Sequence, residues 1–434
     1  MRLRRGLMAL IAGVVVAAGS VMAFSPSGSA AVACSSTVWA EGVSYTAGQQ
    51  VTYQARLYQA LVTHTAWAGA GWTPSTTPTL WRDLGECSGG GTTSPSPSAS
   101  ASVSPSSSPS PSVSTSQPAC AVKGRPAGKV LQGYWENWDG ASNGVHPGMG
   151  WIPISDSRIT SHGYNVLMAA FPVIRSDGTV LWENGMDAGV KVPTPAEICA
   201  AKAQGATVLM SIGGAAAGID LSSSAVADRF VATIVPILKA GNFDGIDIDI
   251  ETGLSGSGSI TTLSPSQANL IRIIDGVLAA MPPNFGLTMA PETAYVTGGS
   301  VTYGSIWGSY LPIIKKYLDN GRLWWLNMQY YNGSMYGCSG DSYAAGTVQG
   351  FTVQTQCLNN GLTIQGTTIR IPYDKQVPGL PAQPGAGGGY MSPSLVTQAW
   401  NSVPGLKGLM TWSINWDGSK GWTFGDTVKG LQGR

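Results

Sequence analysis

Asp244, Asp247, Asp249 and Glu251 fall within eight positions of FDGIDIDIE, residues 243–251, in a chain of which only 11% is charged. The last three alternate with Ile246, Ile248 and Ile250. Alternate side chains of an extended strand share a face, so Asp247, Asp249 and Glu251 lie together and the isoleucines lie opposite. Carboxyl groups this close raise one another's pKa, and burial adds to the effect. An acid kept protonated near neutral pH can protonate a leaving group and later activate water. Three other readings compete with acid catalysis. An exposed edge strand would alternate in the same way, but both neighbouring apolar runs argue for burial. A calcium loop needs a turn with glycine near its sixth position, which this run lacks. Carboxylates alone can hold Mg2+ or Mn2+, so a divalent site is the remaining alternative. Acid catalysis is the reading taken, with no metal and no cofactor.

Eight apolar, β-branched runs recur at about 40-residue spacing, which is one strand, loop and helix each. They are KVLQGYW (129–135), YNVLMAAF (164–171), ATVLMSIGG (206–214), FDGIDIDIE (243–251), GLTMAPE (286–292), WWLNMQYYN (324–332), TIRIPY (368–373) and GLMTWS (408–413). Helical patterns lie between them, as at 225–241 and 266–281. Eight alternating units predict a (β/α)8 barrel of the α/β class, with its site at the C-terminal mouth, where Glu251 ends the fourth run. The first run is followed by no Gly-x-Gly-x-x-Gly turn, which removes the case for a dinucleotide fold.

The rest of the chain sets the context. Arg2, Arg4 and Arg5 precede an apolar stretch and then small residues, so 1–33 reads as a secretory signal and the product as extracellular. No later segment is long and apolar enough to suggest a membrane span. Residues 88–118 are almost entirely Ser, Pro, Gly, Thr and Ala, an extended linker between a module at 34–87 and the barrel at 119–434. Export permits disulfides. Six cysteines divide two and four across the linker, so Cys34 and Cys87 are expected to pair. In the barrel, Cys120 with Cys199 and Cys338 with Cys357 is one of three connectivities, chosen by proximity. A net charge of +1, from 24 basic and 23 acidic residues, recommends neither nucleic acid nor an acidic partner. With 15 Trp and 15 Tyr against 7 Phe, the rings favour a neutral partner that stacks and hydrogen-bonds.

Asp244-x-x-Asp247-x-Asp249-x-Glu251 resembles the fourth-strand signature of family 18 glycoside hydrolases, the chitinase family, and over 125–430 the chain is similar to its secreted bacterial members. SIGG, with Ser211, Gly213 and Gly214 as structural residues, resembles the third-strand motif. QYYN (329–332) resembles the sixth-strand motif and Trp412 the eighth-strand tryptophan under the scissile sugar. The resemblance implies a retaining mechanism in which the sugar's own 2-acetamido oxygen is the nucleophile. Glu251 is then the general acid and base. Asp249 orients the acetamido N–H and shares a proton with Asp247, while Tyr331 bonds the acetamido carbonyl. Gln329, Asn332 (where many relatives carry Asp) and Trp412 contact substrate, and Met289 and Tyr134 are counted with them. Asp244 is structural. Only about 35 residues separate the seventh and eighth runs, too few for the α+β insertion of processive relatives, so an open, endo-acting cleft is expected.

The module at 34–87 reads as short alternating strands with a disulfide staple. Its spacing resembles carbohydrate-binding module families 5 and 12, with Trp72 as the stacking residue, Trp67 as a second ring, and Trp39, Tyr58 and Trp81 in the core. The expected activity is endo-hydrolysis of β-1,4 links between N-acetylglucosamine units, by a monomer acting on insoluble chitin and its oligomers. The alternatives are an endo-β-N-acetylglucosaminidase acting on glycoprotein or peptidoglycan glycans, and a non-catalytic chitin-binding barrel.

Overall fold

A computed structural model describes residues 120–434 except 143, 216 and 217, and, in the module, 34, 36–40, 43–46, 48–61, 64–66, 73–75, 77 and 80–87. The signal, the linker, Trp67 and Trp72 lie outside the described residues. The chain divides into two compact units, Met1–Ser106 and Ser107–Arg434.

In the larger unit eight parallel strands follow one another around a sheet: β1 Val130–Glu136, β2 Val166–Ala170, β3 Thr207–Gly213, β4 Gly245–Asp249, β5 Gly286–Met289, β6 Trp325–Leu326, β7 Gly379–Pro381 and β8 Gly408–Trp412. β8 pairs with β1, and parallel bridges Leu326–Gln376 and Gln329–Gly379 join the continuation of β6 to β7. The barrel is therefore closed. Between the strands run α1 Ser157–Ser161, α2 Pro195–Ala203, α3 Ser224–Ala240, α4 Pro265–Ala280, α5 Leu311–Asp319, α6 Val348–Asn360 and α7 Pro393–Ser402, and α8 Ile414–Gly418 and α9 Thr423–Leu431 follow β8. Local sequence starts these helices. Ser264 and Gln267 form a reciprocal capping box before α4 with Pro265 in its first turn, and Thr194, Glu197 and Pro195 repeat the device at α2.

The seventh run of the sequence is not a barrel strand. Thr367–Ile369 pairs antiparallel with Leu362–Ile364 in a hairpin whose turn residues Gln365 and Gly366 have φ of 48° and 82°. The barrel strand is Gly379–Pro381, three residues with no β-branched pattern to announce it. Only α7 separates it from β8 among the secondary-structure elements, so the absence of a large insertion there stands with the corrected strand.

Ile246, Ile248 and Ile250 are buried with Phe230, Ile234 and Leu238 of α3 and Leu270, Ile273 and Ile274 of α4. This packing turns the opposite face of β4, with its carboxyl groups, into the barrel. Three disulfides are present: Cys34–Cys87, Cys120–Cys199 and Cys338–Cys357.

In the smaller unit Gln50–Tyr53, Arg56–Ala60 and Trp81–Glu86 form an antiparallel sheet. Tyr45, Val51, Tyr58, Ala60, Ala66 and Trp81 form its core, with Trp39 partly buried against it. Among the described residues no helix is long and apolar enough to cross a membrane.

Candidate active site

Asp247 sits at the centre of the barrel, fully buried. Four strands send it donors. Tyr134 Oη from β1 is 2.7 Å from Oδ2 and Ser211 Oγ from β3 is 2.8 Å from the same atom. Thr288 Oγ1 from β5 is 2.6 Å from Oδ1, and Asn327 Nδ2, just past β6, is 3.0 Å from it. Each oxygen thus accepts two hydrogen bonds, which fixes the carboxyl plane.

One turn of the pleat towards the mouth, Asp249 is hydrogen-bonded to Glu251 and receives Gln329 Nε2 at 3.0 Å. The sequence led us to expect a proton shared between Asp247 and Asp249. Instead the four donors occupy Asp247, and the hydrogen-bonded acid pair is Asp249 with Glu251. Gln329 Nε2 also lies 3.1 Å from Glu251 Oε1, so one amide spans both groups. Burial, then the charges of Glu251 and Asp247, push the Asp249 carboxyl well above the ordinary carboxylate range. Burial also pushes Glu251 up to about 7, with Glu292 adding to the rise and the hydrogen bonds from Gln329 and Asp249 opposing it. Glu251 is thus poised to hold a proton near neutral pH and to release it to a leaving oxygen.

The backbone beneath the pair is pinned. Tyr310 Oη receives Ile250 N at 3.0 Å and donates to Ile250 O at 2.8 Å, and Tyr295 Oη donates to Glu251 O at 2.5 Å. Gly213 has φ 108°, and a Cβ there would lie 2.2 Å from Asp249 O; the adjacent Gly214 N donates to that same oxygen at 2.7 Å. Only glycine permits this approach of β3 to the acid strand.

Aromatic rings form one side of the mouth. Trp412 at the end of β8 lies 6.1 Å from Phe171, with planes 11° apart, and 6.1 Å from Trp138 at 27°. Trp138 and Phe171 are themselves stacked at 6.1 Å, and Tyr134 packs 5.5 Å from Trp412. Such a set of near-parallel, partly exposed faces suits the apolar faces of sugar rings. Tyr331 is buried beside this cluster, and burial with the nearby carboxyls holds its phenol well above the usual range, so that it remains a hydrogen-bond donor.

Not every expected residue reaches the site. Met289 is a correction: it is fully buried in the outer core, because β5 registers Thr288 beside Asp247 and Met289 beside Ile248. Asp244, expected to be structural, lies at the other end of β4, 2.7 Å from Lys202 Nζ and from Lys123 N. Asn332 is exposed, and its Oδ1 already accepts from Gly388 N. Sequence reasoning passed over Thr288, Asn327, Trp138, Phe171 and Glu292. Glu292 ends the fifth run and Phe171 the second, so an acid or ring at a strand's C-terminal end was the available signal.

The site can therefore deliver a proton at Glu251 beside a second, neutral acid, against an aromatic wall. Residues 130–319 match the profile of Glycosyl hydrolases family 18, and residues 38–82 that of Carbohydrate-binding module family 5/12. Endochitinase 4 of Metarhizium robertsii is 80% identical over 312 residues, covering 72% of this chain and 90% of the relative. Endochitinase 37 of Trichoderma harzianum is 81% identical over 313 residues, covering 72% and 93%. A crystal structure of a family GH18 chitinase from Chromobacterium violaceum superposes with a TM-score of 0.61 at 30% identity, over 92% of this chain and all of that one. The bacterial grouping expected from the sequence is not supported by these identities, since the two fungal sequences are far more similar than the bacterial one.

Proposed function

The chain belongs to the family 18 glycosyl hydrolases, and on that premise we infer that it is an endo-acting chitinase, cutting β-1,4 links between N-acetylglucosamine units. The mechanism is retaining and substrate-assisted. The acetamido oxygen attacks the anomeric carbon while Glu251 protonates the leaving oxygen; Glu251 then takes a proton from the water that opens the oxazolinium. Asp249, in its protonated, Glu251-facing position, turns to the acetamido N–H as the intermediate forms, and Asp247 anchors the array through its four donors. Tyr331 bonds the acetamido carbonyl, Gln329 holds the two acids, and Trp412 with Tyr134 forms the floor of the scissile sugar. Trp138 and Phe171 extend that floor.

The single observation that carries this reading is the Glu251 carboxyl, raised to about 7 and hydrogen-bonded to Asp249 at the end of β4. Endo action is supported by the short β7–β8 connection, whose one helix leaves the cleft open. The module at 34–87 holds the enzyme on insoluble polymer through Trp72 and Trp67. Residues 1–33 direct export, 88–118 act as a spacer, and the barrel at 119–434 works as a monomer outside the cell.

The test is incubation with colloidal chitin, glycoprotein and cellulose, with products resolved by size and anomer. Oligomers of N-acetylglucosamine in the β-anomer are expected from chitin alone, and from Glu251→Gln none. Early release of mainly dimers would overturn endo action, and rapid cutting of fully deacetylated polymer would overturn substrate assistance. Trp72→Ala is expected to weaken adsorption to insoluble chitin without altering turnover of soluble oligomers.

A further inference from the structure

Asn332 follows Tyr331 in the sixth run, and the structure ties its side chain to a neighbouring loop. Its Oδ1 accepts from Gly388 N at 2.7 Å, and its own N–H donates to Gly388 O at 2.8 Å. Asn332 has φ 61°, a left-handed conformation that asparagine and glycine tolerate best, and Gly333 N closes back on Tyr331 O at 2.8 Å. The segment that follows β6 is thereby latched to the glycine-rich loop after β7.

That loop backs onto the Tyr331 ring. A Cβ on Gly387 would stand 3.2 Å from Tyr331 Cδ2, 3.2 Å from Pro381 Cγ and 3.3 Å from Asn332 Oδ1. The far side of the loop is closer still: a Cβ on Gly389 would lie 2.5 Å from Ala345 Cβ and 3.0 Å from Gly346 N. The loop is therefore wedged between the residue 345–346 turn and Tyr331, with the Asn332–Gly388 pair as its tie.

We propose that Asn332 is a positioning residue for this reaction: through its two hydrogen bonds to Gly388 it holds the 385–389 loop against Tyr331 and so sets the phenol for the acetamido group. The proposal rests on the reading of Tyr331 as the acetamido donor. Because Asn332 Oδ1 is tied to the loop through Gly388 N, its loss is expected to register in the chemical step rather than in substrate affinity.

The test uses the full chain, soluble N-acetylglucosamine oligomers, and kcat and KM determined separately. Asn332→Gly keeps the backbone conformation and the N–H to Gly388 but removes the side-chain acceptor. It is expected to lower kcat roughly tenfold, the equivalent of one hydrogen bond, with KM within about twofold. Asn332→Asp retains an acceptor oxygen and is expected to stay within about threefold of the parent. Gly387→Ala, which crowds the ring directly, should behave as Asn332→Gly does. In a Tyr331→Phe background Asn332→Gly should have no further effect, because residues acting through one group are not additive. A raised KM at unchanged kcat would overturn the proposal by making Asn332 a substrate contact. No effect of Asn332→Gly, or a full effect that persists in the Tyr331→Phe background, would overturn it too. If Tyr331→Phe alone leaves kcat intact, it is the acetamido role of Tyr331 that fails, and the latch falls with it.

Discussion

Asp249 and Glu251 face each other across a single amide, with Gln329 Nε2 at 3.0 Å from one carboxyl and 3.1 Å from the other. The two acids are two residues apart, Asp249 closing β4 and Glu251 just beyond it, and a hydrogen bond between them with a common donor lowers the cost of holding them together. The proton that the reaction needs is thus stored where it will be used.

The pH dependence follows from that storage. Glu251 must be protonated to start the reaction, and its carboxyl is pushed up to about 7 by burial. The rate kcat/KM on short oligomers should therefore be level below pH 7 and fall towards tenfold per unit above it. Donation from Gln329 favours the ionised form of Glu251, so Gln329→Leu removes a stabiliser of the anion. The alkaline limb is expected to move to higher pH in that variant, whatever happens to the maximum rate. A limb that stays in place or moves down would refute the role given to Gln329.

Asp247 gives a second prediction. Its Oδ1 is held by Thr288 at 2.6 Å and Asn327 at 3.0 Å. Thr288→Val is nearly isosteric and removes one donor from a buried acceptor, a loss of about 1–3 kcal/mol in fixing that carboxyl. About a tenfold drop in kcat is expected, with the near-ultraviolet dichroism and oligomer binding of the parent retained. Full activity would mean that the orientation of Asp247 does not matter to the chemistry.

Glu136 at the end of β1 is buried to 1% exposure, accepts a hydrogen bond from Ser413 Oγ, and is pushed up to about 8 by burial and the neighbouring Asp139. Its unfolded counterpart ionises near the ordinary glutamate value of about 4.5, so between that value and 8 the unfolded chain binds fewer protons. Stability from this group is complete below pH 4.5 and declines as pH rises to about 8, where the folded form ionises in turn. Glu136→Gln has no such slope. The Tm of the variant relative to the parent should increase from pH 4.5 to pH 8, and an offset that is the same at both ends would rule out a buried neutral acid here.

These features were unequally visible in the sequence. The acids of β4 alternate with isoleucine, and a period of two is a local signal, so their common face could be read directly. The four donors to Asp247 come from β1, β3, β5 and the residue just past β6, and no local pattern ties Tyr134, Ser211, Thr288 and Asn327 together. Met289 shows the same limit, since which face of β5 looks inward depends on the register of Thr288 with Asp247. The seventh strand was missed because GLP carries neither alternation nor β-branching, whereas TIRIPY carries both and spends them on a hairpin. Closure of the barrel, not propensity, makes Gly379–Pro381 a strand.

The far end of β4 carries the last prediction. Asp244 and Lys202 form an ion pair of 2.7 Å, with side chains 0% and 3% exposed, and Asp244 also accepts from Lys123 N and from Val208 N at 2.7 and 2.9 Å. Burial still pushes the Asp244 carboxyl above its ordinary value, against the pull of the ammonium and the two N–H groups. Removing the cation alone leaves a desolvated carboxyl without its partner. Lys202→Met is therefore expected to lose about 3–5 kcal/mol in denaturant unfolding. Adding Asp244→Asn should return part of that loss, because a neutral amide does not need the ammonium. Since the pair lies at the end of β4 away from Glu251, the folded fraction of Lys202→Met should keep the parent's KM and alkaline pH limit. A variant of unchanged stability would show that the two backbone N–H groups suffice for Asp244, and that Lys202 is dispensable to the strand that carries the acids.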